Sequence, residues 1–419
     1  MYDAIIVGAR VAGASTAMLL ARKGYRVLLV DRATFPSDTM STHQLQIPGS
    51  IMLKRWGLLD KVLATNPGVR YSVHFDTGDA VLDGEYPIVE SINYVQSPRR
   101  YLLDKILIDA AVEAGAELRE GFITEEVLWD EGRVDGIRGR LTSGGTVIER
   151  ARIVIGADGK HSLVARSVDA PKYDENPVLT CGYYSYWEGI SQSSGELYLL
   201  GKRAIGVWPT NDDKTMIYVA WPVAEFDKFR ADVDGNYLAT IDLVPALGER
   251  VHQGKRAERI VGTADMLNFY RKPYDLGWAL VGDAGFVRDP IGAFGISDAF
   301  RDAGLLAEAV EAGFSGQRPL EIAMAGYEQT RNRVSKPMYE FTLENARMKG
   351  LSPIQLELFR ALEYNPAMRS QFFGLFSGVV SPTDFFTPQN IFRLLKLRGM
   401  AKIALSSILN SRRDAVANF

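Results

Sequence analysis

The feature that most constrains this chain lies in its first thirty-one residues. Ala4-Ile5-Ile6-Val7 is a short apolar run that reads as a buried parallel strand. Gly8-Ala9-Arg10-Val11-Ala12-Gly13 follows, then a helical pattern from Ala14 to Lys23 that Gly24 closes. Tyr25 to Val30 reads as a second strand, and Asp31 ends it. A strand, a glycine turn, a helix and a second strand with a terminal acid predict a dinucleotide-binding unit. The start of a helix carries unpaired N–H groups and partial positive charge, so it holds a pyrophosphate. In this reading Gly8 allows the sharp turn and Gly13 lets the helix lie close to the strand. Asp31 accepts hydrogen bonds from a ribose diol. Arg10 stands where a middle glycine is expected. Its side chain either crowds the pyrophosphate or turns outward and adds positive charge.

Composition narrows the classes. The 419 residues allow two or three domains at about 100–200 residues each. A formal net charge of −3 leaves no basic excess for a nucleic-acid backbone. One cysteine, Cys181, excludes a disulfide framework and a zinc site built on several thiolates. His43, His74, His161 and His252 are scattered, and no metal is expected. No apolar stretch reaches 18 residues, so no transmembrane helix is expected. No basic region precedes the first apolar run, which argues against a signal peptide and for a cytoplasmic enzyme.

Two further segments end apolar strands in glycine and aspartate. The first is Ile153-Val154-Ile155-Gly156-Ala157-Asp158-Gly159. The second is Trp278-Ala279-Leu280-Val281-Gly282-Asp283-Ala284, which runs into Asp289-Pro290-Ile291-Gly292-Ala293-Phe294-Gly295 and a helix from about Ile296 to Val310. With these three motifs in order over roughly residues 1–345, the chain resembles FAD-dependent monooxygenases of the p-hydroxybenzoate hydroxylase type. It also resembles the related geranylgeranyl reductases and flavin-dependent halogenases.

The resemblance implies an α/β fold: a Rossmann-like FAD-binding domain, an inserted antiparallel sheet for substrate, and a helical C-terminal region. The expected boundaries are 1–70, 97–170 and 272–345 for the first, 71–96 and 171–271 for the second, and 346–419 for the third. It implies FAD held by Gly8, Arg10, Val11, Ala12, Gly13, Asp31 and Arg32 in the first motif. Asp158, Gly282, Asp283, Pro290, Gly292, Gly295 and Ile296 complete the set, with Asp283 on the ribityl chain or pyrophosphate. An arginine opening the helix that starts near Pro98 reaches the FAD phosphates or ribose in the family; Arg100 fits best and Arg99 is the fallback. A backbone amide near Thr124, on a strand expected from Glu117 to Val127, meets the adenine. The residues agree with this. Gly292 and Gly295 let backbone approach a flat ring, and the following helix aims its positive end at it, which stabilises charge on reduced flavin. Pro290 and Gly295 are therefore also placed at the reacting centre.

The loop Phe35 to Gln44 passes beside the ring in the family. His43 in it is a candidate hydrogen-bonding group or proton shuttle, and equally a structural histidine. Residues 171–271 read as strands with turns, and residues 71–96 add strands to the same sheet. Alternation puts Tyr183, Ser185 and Trp187 on one face and Tyr184 and Tyr186 on the other. Tyr184, Tyr186 and Trp208 are candidate substrate contacts for a large apolar or aromatic molecule. Asn390 to Leu409 alternates apolar and basic residues; packing on the protein or a partner subunit is favoured over contact with a membrane surface.

A single dinucleotide fingerprint implies no dedicated nicotinamide domain, so NAD(P)H binds transiently or a reductase supplies reduced flavin. Gly206-Val207-Trp208-Pro209 does not match the halogenase Trp-x-Trp-x-Ile-Pro motif. Gly285-Phe286 and Ser297 depart from the simple phenol hydroxylases. The expectation is a monooxygenase that uses NAD(P)H and O2, through a flavin C4a-hydroperoxide, to hydroxylate or epoxidise a bulky, natural-product-like metabolite. The alternatives are a reductase of prenyl double bonds and a flavin-binding redox protein without turnover.

Overall fold

The computed structural model describes residues 1–395. The part of the Asn390–Leu409 segment from residue 396 onward lies outside them. Tyr2–Val7 occupies the middle of a parallel sheet, with Val27–Val30 on one side and Thr146–Gly156 on the other. Glu117–Arg119 continues the sheet beyond Val27–Val30, and Trp278–Leu280 continues it beyond Thr146–Gly156. Val27-Leu28-Leu29-Val30 is buried at every position, as befits a strand covered on both faces.

Register brings the distant motifs together. Val7 pairs with both Val30 and Gly156, and Gly156 pairs with Leu280. The strands therefore end level, and whatever follows each one emerges at a single edge. Backbone bonds carry the alignment past the strand ends: Gly8 N donates to Val30 O at 2.8 Å, Ala157 N to Val7 O at 2.8 Å, and Val281 N to Gly156 O at 2.9 Å. Helix Val11–Arg22 packs against both Arg100–Glu113 and Gly295–Phe314.

The strand expected from Glu117 to Val127 is broken. Gly121 takes a positive φ of 63°, so Glu117–Arg119 stays in the parallel sheet while Phe122–Asp130 turns off to pair with Arg133–Leu141.

The second sheet runs Lys255–Arg256, Thr180–Glu188, Thr215–Pro222, Arg203–Pro209, Gly195–Leu200, Ser72–Asp76, Val81–Glu85. The early segment thus adds two strands to it, while Val95–Gln96 pairs with Val69–Arg70 instead. Reading 171–271 as strands and turns missed three helices: Phe226–Ala231, Val233–Ile241 and Pro245–Gln253. They cover one sheet face, where Tyr183 stacks on Phe229 with ring centres 4.0 Å apart and Trp187 and Trp221 are buried. The opposite face carries Tyr184, Tyr186, Trp208 and Tyr218, together with Ile291 and Met348. Towards the C-terminus, Phe359, Phe372 and Phe376 pack on Phe75 of the sheet's outer part.

Candidate functional site

Three turns interlock at the sheet edge. Gly8 has a φ of 103°, and a Cβ there would sit 2.5 Å from Ala157 O. A Cβ on Gly13 would lie 1.7 Å from Gly8 O, so only glycine lets the helix start this close to the turn. Gly282, at φ 61°, leaves room for Ala12, whose Cβ would be 2.7 Å from an added one. First and last motifs are thereby in direct contact.

Carboxylates line this edge. Asp31 accepts from Ala9 N at 2.7 Å and from Ala33 N at 2.8 Å, which fixes it beside the glycine turn with lone pairs to spare. Asp158 accepts from Leu163 N at 2.7 Å, while its other oxygen is buried without a partner; burial raises its pKa. Asp283 keeps exposed surface yet its carboxyl is ringed by protein, and no donor among the described residues bonds it. That enclosure pushes its pKa up to about 6, against the pull of Arg100 and Lys160 and with the help of Asp298 and Asp302. Arg32 is exposed.

Arg10 turns outward. It donates to Asp104 Oδ2 at 2.7 Å and to Ser37 O, Ser37 Oγ and Asp38 O at 3.2 Å each. Asp104 is fully buried and also holds Arg100 at 3.0 and 3.1 Å. Two guanidiniums on one carboxylate leave a net positive charge next to the helix start. Arg99, the fallback for the phosphates, faces the other way. It pairs with Asp38 at 2.7 Å and Glu258 at 2.8 Å, and lies 3.9 Å over the ring of Tyr186. The reason is its place one residue before the helix, on a backbone held by Asn211 Oδ1 at 2.8 Å.

The helix Gly295–Phe314 begins with no side-chain cap, and the acid of its first turn, Asp298, is taken by Arg288 at 2.6 Å and Arg301 at 2.7 Å. Its leading N–H groups stay available. Gly295 is exposed, and a Cβ there would meet nothing within 4 Å. The preceding turn is fixed by Asp289, which accepts from Ile291 N at 3.0 Å and Thr180 Oγ1 at 2.6 Å, so Pro290 and Gly292 are held beside it. Thr124 sits in the hairpin strand with its hydroxyl buried and unpartnered, and the strand's first residue, Phe122, donates its N–H to Asp31 O.

His43 is buried, and desolvation together with Arg99 lowers its pKa to about 3. Its Nδ1 faces Ser41 O at 3.0 Å, so that nitrogen carries the proton and the buried, unpartnered Nε2 is a bare acceptor. A neutral imidazole of this kind accepts a hydrogen bond but does not work as an imidazolium shuttle. The three aromatic candidates converge on the same loop. Ser41 N donates to Tyr184 Oη at 3.2 Å, Trp208 Nε1 donates to Thr42 O at 3.3 Å, and Tyr186 stacks on His43 at 5.6 Å.

The donor set fits a flavin dinucleotide. There is a glycine cradle at a helix start, an acid at the second strand's end, and net positive charge at the turn. A second uncapped helix and a carboxylate without a donor complete it. Comparison with known proteins agrees: residues 1–342 match the FAD binding domain family, and the chain belongs to it. It is an FAD-dependent oxidoreductase. It is 26% identical to the digeranylgeranylglycerophospholipid reductase of Methanocella arvoryzae over 322 residues, 74% of this chain and 79% of that one. It is 23% identical to the rifampicin monooxygenase of Rhodococcus hoagii over 360 residues, 83% of this chain and 71% of that one. The fold is also that of the flavin-dependent brominase Bmp2, with a TM-score of 0.77, 18% identity and 99% of each chain covered. No helix among the described residues is long and apolar enough to cross a membrane.

Proposed function

We propose that this flavoenzyme is a monooxygenase that hydroxylates or epoxidises a bulky, apolar or polycyclic metabolite, using NAD(P)H as a transient reductant and O2. The observation that carries the reading is the aromatic face Tyr184, Tyr186 and Trp208 set against the 41–43 loop. A flavoprotein without turnover has no use for such a face. When bound, FAD accepts a hydride and, once reduced, activates dioxygen. Arg100 and the amides of the first helix start would hold its pyrophosphate, with the outward-turned Arg10 adding positive charge there; Asp31 would hold its adenosine ribose and Asp283 its ribityl hydroxyls. The backbone of Pro290, Gly292, Gly295 and Ile296 would lie against the ring, where the uncapped helix would stabilise negative charge. Tyr184, Tyr186 and Trp208 exclude water and orient the substrate, and His43 Nε2 accepts one hydrogen bond there.

The test is turnover of a polycyclic arene panel with NADPH under isotopically labelled dioxygen. One labelled oxygen atom in the product, with matching NADPH use, is expected. The likeness to the reductases supports a second reading, reduction of an isolated double bond. Anaerobic loss of a double bond, without oxygen incorporation, would establish that reading in place of the first.

A further inference from the structure

The sheet face that carries Tyr184, Tyr186 and Trp208 holds one more aromatic residue, Tyr218. Register sets it between them: Tyr218 pairs with Tyr184 on one neighbouring strand and with Gly206 on the other. Gly182, two residues before Tyr184, shares that face. A Cβ on Gly182 would sit 2.4 Å from Tyr218 Oη and 2.5 Å from its ring. Trp208 uses Gly206 in the same way, with an added Cβ there 2.2 Å from its ring. Glycine weakens a strand interior, so its presence under both rings points to a shape that this face needs. Tyr218 is 5% exposed, and its hydroxyl is buried with no hydrogen-bond partner among the described residues. Leaving a buried hydroxyl unpaired costs about 1–3 kcal/mol. The neighbouring hydroxyls are used: Tyr184 Oη accepts from Ser41 N at 3.2 Å, and Tyr186 Oη lies 3.4 Å from His43 Nδ1. Asp289 acts on Tyr218 through space, but its oxygens are turned to Thr180 Oγ1 and Ile291 N. Burial holds the phenol well above its ordinary pKa, so it keeps its proton and is a neutral donor. Thr180, two residues before Gly182, holds Asp289, so this unpaired donor sits at the end of the face next to the Pro290–Gly292 turn.

We propose that Tyr218 is a specificity-determining residue whose hydroxyl donates to an acceptor oxygen of the substrate, so that the preferred molecule is a bulky apolar ring system bearing a carbonyl rather than a plain hydrocarbon. This rests on the reading of the aromatic face as the substrate wall. A carbonyl seated there satisfies the hydroxyl and anchors one edge of the ring system beside the Pro290–Gly292 turn. The hydrocarbon counterpart leaves the hydroxyl unpaired, and a site built this way discriminates against it.

The experiment measures the dissociation constants of fluorenone and fluorene, a ketone and its hydrocarbon counterpart, on the FAD holoenzyme by calorimetric titration. The wild type is expected to bind the ketone roughly five- to tenfold more tightly. Tyr218→Phe should abolish that preference by weakening fluorenone alone and, having lost no protein partner, should melt no lower than wild type. Gly182→Ala keeps the hydroxyl but pushes it off its seat, and should lose the preference as well. A wild-type chain that binds both probes equally overturns the proposal and leaves the arene reading in place. So does either variant keeping the preference, or Tyr218→Phe weakening both probes alike, as a change of shape alone would. A Tyr218→Phe chain that melts well below wild type also overturns it, since the hydroxyl would then have a partner within the protein. Binding of neither probe refutes the substrate wall itself and this proposal with it, a different result from a lost preference.

Discussion

At the residue scale, the acids of the strand edge divide by their partners. Asp31 already takes two backbone amides, so its replacement removes a ribose acceptor and loosens the turn together. Asp31→Ala is expected to weaken FAD binding by about 1–3 kcal/mol, read by flavin fluorescence titration; unchanged affinity would contradict its role. Asp283 has no such donors, and its pKa is pushed up to about 6. A raised carboxyl contributes stability that is full below its unfolded value, about 3.9, and is lost as pH rises through about 6. Asp283→Asn should therefore raise the melting temperature of the cofactor-free chain at pH 8, and raise it less at pH 5. Hydroxyl donors from FAD favour the ionised carboxylate, so wild-type FAD affinity should fall as pH drops through about 6. The Asn variant should lose that slope; a slope retained in it would assign the titration elsewhere. His43, lowered to about 3, should show no imidazole titration by NMR between about pH 5 and 9.

At the scale of the element, two glycines make opposite cases. The methyl of Gly13→Ala would lie 1.7 Å from Gly8 O, backbone that cannot yield. This variant should lose about 3 kcal/mol or more of stability and fail to retain flavin. Gly295→Ala meets open space, so the cofactor-free chain should melt no lower than wild type while FAD binds more weakly. A chemical denaturation curve and a flavin titration on each variant separate the two. The same elements show what a reader of the sequence can see. The three motifs were legible because strand, turn and helix punctuation is local, and parallel register then carries them to one edge. The first two helices between residues 226 and 253 are harder to see, because Phe226, Phe229 and Tyr237 are residue types that the strands around them also carry. Phe229, Val233, Tyr237 and Ile241 do recur every four residues, a helical signal that was there to be read. The position of Arg99 had no linear signature. Its partners are a distant carboxylate and an aromatic ring, brought near only by tertiary packing.

For the whole molecule, the cofactor edge and the aromatic sheet are joined by one chain of contacts. Asp104 holds Arg10, Arg10 holds the Ser37-Asp38 backbone, Asp38 holds Arg99, and Arg99 reaches Glu258 and Tyr186. Arg99→Ala takes a partner from the half-exposed Asp38 and unstacks Tyr186, while Glu258 keeps Lys214 at 3.2 Å, so it should cost roughly 1–2 kcal/mol of stability. It should also raise the apparent KM for substrate at near-normal flavin content; flavin loss as large as in Asp31→Ala would place Arg99 on the cofactor instead. The most direct measurement is the flavin content of the purified 419-residue chain after incubation with FAD and desalting. One FAD per chain, released on denaturation and weakened by Asp31→Ala, is predicted. A colourless chain that takes up no FAD would contradict the site at the sheet edge and everything derived from it.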